Sequence, residues 1–227
     1  LHIVKPLLQN ETMVEKEKSL SLSIPKKQKF TTDLSERRVR TSKKGLSVPV
    51  QVNKNAIAFY NDYPAACLNG DPYTQWVAYA NSPMDKEVVD NVYPLLRKNI
   101  ASLPEKEAVG LLLNWVQTAF EYRYDDQVWG YDRAFFPAET LFYPYADCED
   151  RAILFARIVR DLLALDVVLL YYPGHLASAV CMQEGTPGDY VRYKDKKYIV
   201  CDPTYIGAGI GKTMPQMDNN KAKIITL

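Results

Sequence analysis

From Asp85 onward the apolar positions follow a helical period: Val88, Val89, Val92, Leu95, Leu96 and Ile100 fall near one stripe. Pro94 is expected to kink or divide that helix. A second helix follows, with Ser102 as its expected N-cap and Glu105 as the capping-box acid three residues on. Val109, Leu112, Leu113, Val116 and Phe120 form its buried face. After Asp147 the period returns: Ala152, Phe155, Val159 and Leu162 share a stripe that Leu154 and Ile158 widen, so a helix is expected to start at or beside Cys148. The pattern then becomes strand-like. Val167 to Tyr172 is an apolar, partly β-branched run closed by Pro173–Gly174, and His175 opens a second run to Met182. Tyr190–Tyr193 and Lys197–Asp202 follow, with a hairpin tip expected at Asp195–Lys196. A helix followed by several antiparallel strands is an α+β order.

Two stretches break the periodicity. Residues 122–145 read as one loop dense in aromatic rings, which suggests that it lines or covers something. Residues 1–55 hold short alternating runs, Leu20–Ile24 and Leu46–Val50, between Lys-, Ser- and Thr-rich segments. Charge sharpens this division. The chain of 227 residues has a net charge of +1, yet residues 1–55 carry 12 Lys and Arg against 5 Asp and Glu, and residues 56–227 carry 16 against 22. The expected organisation is a basic arm over residues 1–55, with opposite charge favouring its return along the body, and an acidic domain over 56–227. The chain begins at Leu1, as a piece of something longer would.

Several function classes drop out. No apolar run approaches the ~20 residues that span a bilayer. The basic clusters Lys26–Lys29 and Arg37–Arg40 have almost no interleaved aromatics, which argues against nucleic-acid binding. Gly207 to Thr213 imitates a phosphate-binding loop, but only three residues separate Gly207 from Gly211–Lys212–Thr213 where four are required. The four cysteines, Cys67, Cys148, Cys181 and Cys201, form no CxxC pair, so a thiol–zinc site is not expected. Setting residue 175 against 202 in an antiparallel pair puts Cys181 near Lys196, on the face opposite Cys201, so both should be reduced.

Three residues remain as candidate chemistry. Cys148 falls at a helix start, where unpaired N–H groups favour a thiolate. His175, at a strand start after a Pro–Gly break, is the one realistic base, and Asp202, at a strand end before Pro203, could hold the imidazole. A nucleophile, a base and an orienting carboxylate in this order follow the logic of acyl-transfer triads.

The segments Pro137–Ala138–Glu139–Thr140–Leu141, Ala146–Asp147–Cys148–Glu149–Asp150–Arg151–Ala152, Pro173–Gly174–His175 and Cys201–Asp202–Pro203–Thr204–Tyr205 resemble the transglutaminase-like superfamily of papain-fold cysteine enzymes, bacterial type. The likeness covers roughly residues 85–214. Two places depart from the common pattern: Ala146 where glycine is frequent, and Leu176–Ala177–Ser178 where an aromatic often follows the histidine. The resemblance implies a papain-like core, with the nucleophile's helix packed on an antiparallel sheet. It also implies Cys148 as nucleophile, His175 as general base and then acid, Asp202 as orienter, a peptide or protein amide as substrate, and an extracytoplasmic setting. No cofactor is required. Acids matching Asp147 and Glu149 hold calcium in some of these proteins, so the resemblance permits calcium here, although such acids more often cap a helix or bind a cation such as Arg133 or Arg151. Beside the Cys148 N–H a second oxyanion donor is needed, for which Gln127, Trp129 and Tyr131 are candidates, Gln127 preferred because its amide presents an N–H without titrating; Trp129, Tyr131 and Tyr145 are candidate cleft residues. The alternative function is a non-catalytic domain of the same fold that binds a protein or peptide partner in its cleft.

Overall fold

Side chains alternate between the two faces of the sheet, both of them buried along its central strands, and helical spacing builds the layer that covers one of these faces. The computed structural model describes residues 29–63 and 72–227. A hairpin of β1 (Arg38–Thr41) and β2 (Ser47–Val50) leads into α1 (Lys54–Asn61), α2 (Tyr73–Asn81), α3 (Lys86–Asn91), α4 (Tyr93–Ile100) and α5 (Glu105–Thr118). The short helices α6 (Asp125–Val128) and α7 (Pro137–Phe142) precede α8 (Cys148–Leu163). The strands β3 (Val167–Tyr172), β4 (His175–Cys181), β5 (Tyr190–Tyr193), β6 (Lys196–Cys201) and β7 (Lys223–Thr226) complete an α+β fold. They form one antiparallel sheet in the order β5-β6-β4-β3-β7. Among the described residues no helix is long and apolar enough to cross a membrane.

Helix α8 packs on β3 and β4. From this face Leu169, Leu176, Val180, Ile199 and Cys201 join Ile153, Leu154, Phe155 and Ile158 of the helix in the main core. The alternate residues Val168, Leu170, Ala177, Ala179, Val191 and Tyr198 form a second, smaller core on the opposite face. Each large aliphatic side chain enclosed in this way contributes about 1.5–3 kcal/mol. The predicted faces of α5 and α8 are buried from Val109 to Phe120 and from Ala152 to Val159.

Boundaries differ where proline and turn chemistry decide them. The helix expected from Ser102 starts at Glu105, because Pro104 disfavours helical geometry in the residue before it. The division expected at Pro94 falls at Val92, and Pro94 occupies the first turn of α4, where its missing N–H costs nothing. The aromatic stretch 122–145 is not a single loop, since it contains α6 and α7, with Pro137 as the first residue of α7. The hairpin tip is Lys194–Asp195 rather than Asp195–Lys196, and both tip residues take the left-handed conformation that suits a tight hairpin turn. The β4–β6 register is two residues from the one expected: Cys181 lies opposite Tyr198, and Cys201 opposite Ser178. Parity is unchanged by an even shift, so the two cysteines lie on opposite faces, and both are free thiols.

Residues 29–55, the described portion of the expected arm, are packed into the body. Leu46, Val48, Val50 and Val52 belong to the main core. Arg40 is buried and donates to the carbonyls of Leu141, Phe142 and Tyr143 at the end of α7, while Trp115 Nε1 donates to the Arg40 carbonyl at 3.1 Å. Cys67 and the run Leu20–Ile24 lie outside the described residues.

Candidate active site

The start of α8 is held by its own carboxylate. Asp150 Oδ2 accepts the Asp147 N–H at 3.3 Å, and Asp150 Oδ1 accepts the Phe135 N–H at 2.8 Å, so this side chain fixes both the helix start and the aromatic segment beside it. Cys148 is the first residue of α8 and is partly exposed. Its thiol donates to Glu149 Oε2 at 3.1 Å. Burial first, then the charges of Glu149 and Asp147, hold this thiol well above its ordinary range, while the Leu176 N–H beside the sulfur pulls the other way. The helix end that favours a thiolate is thus outweighed by burial and by the carboxylate neighbours.

Leu176 is the residue after His175, so β4 brings the start of its strand to the sulfur. His175 Nε2 meets Asp202 Oδ2 at 2.9 Å, with both residues buried. Asp202 Oδ1 accepts the N–H groups of Thr204 and Tyr205, at 2.8 and 3.2 Å, so the carboxylate ties down its own loop with one oxygen and holds the ring with the other. Tyr172 stacks on the imidazole with 6.2 Å between ring centroids. With Nε2 committed to the carboxylate, Nδ1 is the ring nitrogen left for a proton from outside the pair.

Beside the thiol lies a concentration of acids. Carboxylate oxygens of Asp125, Asp132 and Glu149 lie within 4.8 Å of one another, and so do those of Asp125, Asp147 and Asp150. Burial, with mutual repulsion added, pushes Asp125 up to about 7 and Asp147 up to about 11, and raises Glu149 and Asp150. Asp147 Oδ1 is buried without a hydrogen-bond partner. The arginines expected to answer these acids are engaged elsewhere. The Arg133 guanidinium pairs with Glu139 and Asn61, and Arg151 donates to the carbonyls of Ala146, Gln117 and Phe120. Oxygen-only donors with one orphaned atom suit a hard cation such as calcium. Asp125 and Asp132 were not legible as partners of Glu149, because nothing in their spacing within an aromatic segment announces the approach.

The remaining candidates divide. Gln127 is exposed, and its side chain makes no hydrogen bond among the described residues. Its position in α6, on a turn facing solvent, accounts for this. Trp129 and Tyr145 do come together, in a cluster with Tyr143 and Phe135, with the Arg133 guanidinium 4.6 Å from the Trp129 ring centroid. Tyr131 stands apart and exposed. Compared with known proteins, the chain matches no family model, and no curated protein matches it.

Proposed function

We propose that the chain is a transglutaminase-like cysteine hydrolase or acyltransferase that acts on peptide or protein amide bonds, not on nucleic acid, through Cys148, His175 and Asp202. The observation that carries this reading is the buried 2.9 Å contact between His175, the first residue of β4, and Asp202, next after β6, with the neighbouring Leu176 N–H at the Cys148 sulfur. In the reaction, His175 Nδ1 takes the thiol proton as sulfur attacks the carbonyl carbon. The oxyanion develops beside the Cys148 N–H at the start of α8. His175 then returns the proton to the leaving amine, which departs as the C–N bond breaks and leaves a thioester on Cys148. Water or a second amine, deprotonated by the same imidazole, attacks the thioester and frees the thiol. Asp202 keeps the ring in the tautomer that leaves Nδ1 available and stabilises the imidazolium between the two proton transfers.

Calcium would fit the acids beside the nucleophile: either Asp125 with Asp132 and Glu149, or Asp125 with Asp147 and Asp150, would hold it, and it would supply the positive charge that these carboxylates lack. The alternative, a non-catalytic domain with a peptide in the same cleft, has one observation on its side: burial and two carboxylates keep Cys148 in its less reactive thiol form.

Hydroxylamine discriminates between these readings, because it intercepts any thioester as a hydroxamate whatever the natural acceptor. Incubating the chain with a complex peptide mixture, hydroxylamine and calcium is expected to yield hydroxamates by mass spectrometry, and Cys148→Ala should yield none. Equal product from both proteins, or no product from either, would contradict the enzyme reading.

A further inference from the structure

Gln117 is a polar side chain near the end of α5 that no triad logic requires, yet it is 1% exposed and its bonds run to both halves of the site. Its Nε2 donates to three main-chain carbonyls of the segment that follows β6: Asp202 at 2.9 Å, Tyr205 at 3.0 Å and Ala208 at 3.0 Å. An amide nitrogen has two hydrogens, so at least one bond is shared between carbonyls. The Gln117 main-chain carbonyl accepts from Arg151 Nη1 at 3.0 Å. Arg151 lies on α8, three residues after Cys148, is fully buried, and also donates to the carbonyls of Ala146 and Phe120, at 3.1 and 2.9 Å. Ala146 stands two residues before the nucleophile.

We propose that Gln117 is a positioning residue: its side-chain amide gathers the Asp202 loop from behind, and its main-chain carbonyl is held by the nucleophile's helix, so that one residue sets the carboxylate that holds His175 relative to Cys148. The two halves of the site come from a helix start and from the ends of two interior strands, β4 and β6, and Gln117 is bonded to both: its side chain to the Asp202 loop and its carbonyl to α8. Removing the amide leaves three inward-facing carbonyls without that donor, each costly to bury unpaired. The loop must then open toward water, and Asp202 Oδ2 withdraws from the ring with it. The catalytic meaning of the clamp rests on the triad reading above, but its geometry does not.

The test therefore needs no substrate. The chain has two histidines, His2 and His175, so in protein labelled with 15N-histidine the His175 Nε2–H can be followed by NMR and assigned by its loss in His175→Gln. Solvent exchange of this proton in Gln117→Met, which keeps the length and packing of the side chain but donates nothing, is expected to be at least about tenfold faster than in the parent, as opening of the loop becomes easier. Gln117→Asn withdraws the amide by one methylene and should act in the same direction with smaller size, which serves if the Met variant does not fold. Thr118→Val is the control for general destabilisation of α5, because Thr118 Oγ1 bonds Asn114 and Lys43 and not the loop; it should leave the proton's exchange unchanged. Exchange that is equally slow in the parent and in the folded Gln117 variants, or equally accelerated by Thr118→Val, would overturn the clamp alone. A parent with no protected His175 Nε2–H would overturn the clamp and the triad reading together.

Discussion

Asp85 shows at the residue scale how one group can make stability depend on pH. It stands at the N-cap of α3 but makes no side-chain cap there; instead its Oδ1 accepts the Tyr60 hydroxyl at 2.5 Å, and its Oδ2 is buried without a partner. Burial is the largest cause that pushes it from 3.8 up to about 6, against the pull of the Tyr60 bond. A carboxyl whose pKa is raised by folding binds its proton more tightly in the folded chain, so its contribution is fully present below pH 3.8 and is lost as pH rises through about 6. A shift of this size corresponds to roughly 2–3 kcal/mol. Asp85→Asn keeps an acceptor for Tyr60 and abolishes the titration. Urea unfolding at a series of pH values should therefore show the variant gaining on the parent by about that amount between pH 4 and 7.5, and parallel profiles would contradict this. Asp125, raised to about 7, adds a fall of the same sign that both proteins share, whereas the Asp85 charge is among the smaller causes that raise Glu139 to about 7, so its removal adds to the variant's gain in the same direction.

Among the elements, the glycine-rich run that imitates a phosphate loop has a packing explanation. Gly211 and Gly188 cross backbone to backbone: a Cβ built on Gly211 would lie 2.5 Å from the Gly188 Cα, and Gly211 has φ +74°. The crossing lets the Asp189 N–H donate to the Gly211 carbonyl and the Gly211 N–H to the Val200 carbonyl, which fastens the segment after Asp202 to the edge of the sheet. Gly211→Ala should cost about 3 kcal/mol or more in thermal or urea unfolding, because strain and overlap with backbone add. Gly209→Ala, two residues earlier and with open space around it, should stay within about 0.5 kcal/mol. Equal effects would contradict the crossing. Elements with long, strong periodicity were legible: α8 and β3 lie where their patterns place them, and the expected faces of α5 and α8 are buried except for Leu162, which is half-buried near the end of α8. The four-residue β7 and the helices α1 and α2 were not, since such short elements carry little periodic signal and acquire their structure from pairing with β3, packing on α7 and packing on α8 respectively.

For the whole molecule, the hairpin before α1 and the sheet after α8 are tied around one core, and the site sits where their supports meet. Arg40 from β1 holds the end of α7, Asp150 joins α8 to the aromatic segment, and Gln117 joins α5 to the Asp202 loop. The order Cys148, His175, Asp202 was legible because each falls at an element boundary that proline, glycine or the onset of helical periodicity marks. The supporting groups were not, because Gln117, Asp125 and Asp132 act through approaches between segments distant in sequence, which no local pattern records. The most direct measurement of the central claim is the rate at which iodoacetamide modifies Cys148 relative to Cys181 in the same chain, read by peptide mass mapping in the parent and in His175→Gln. With His175 proposed as the base for this thiol, the account predicts that the Cys148 rate falls at least about tenfold in the variant while the Cys181 rate holds. A Cys148 rate indifferent to His175 would contradict it.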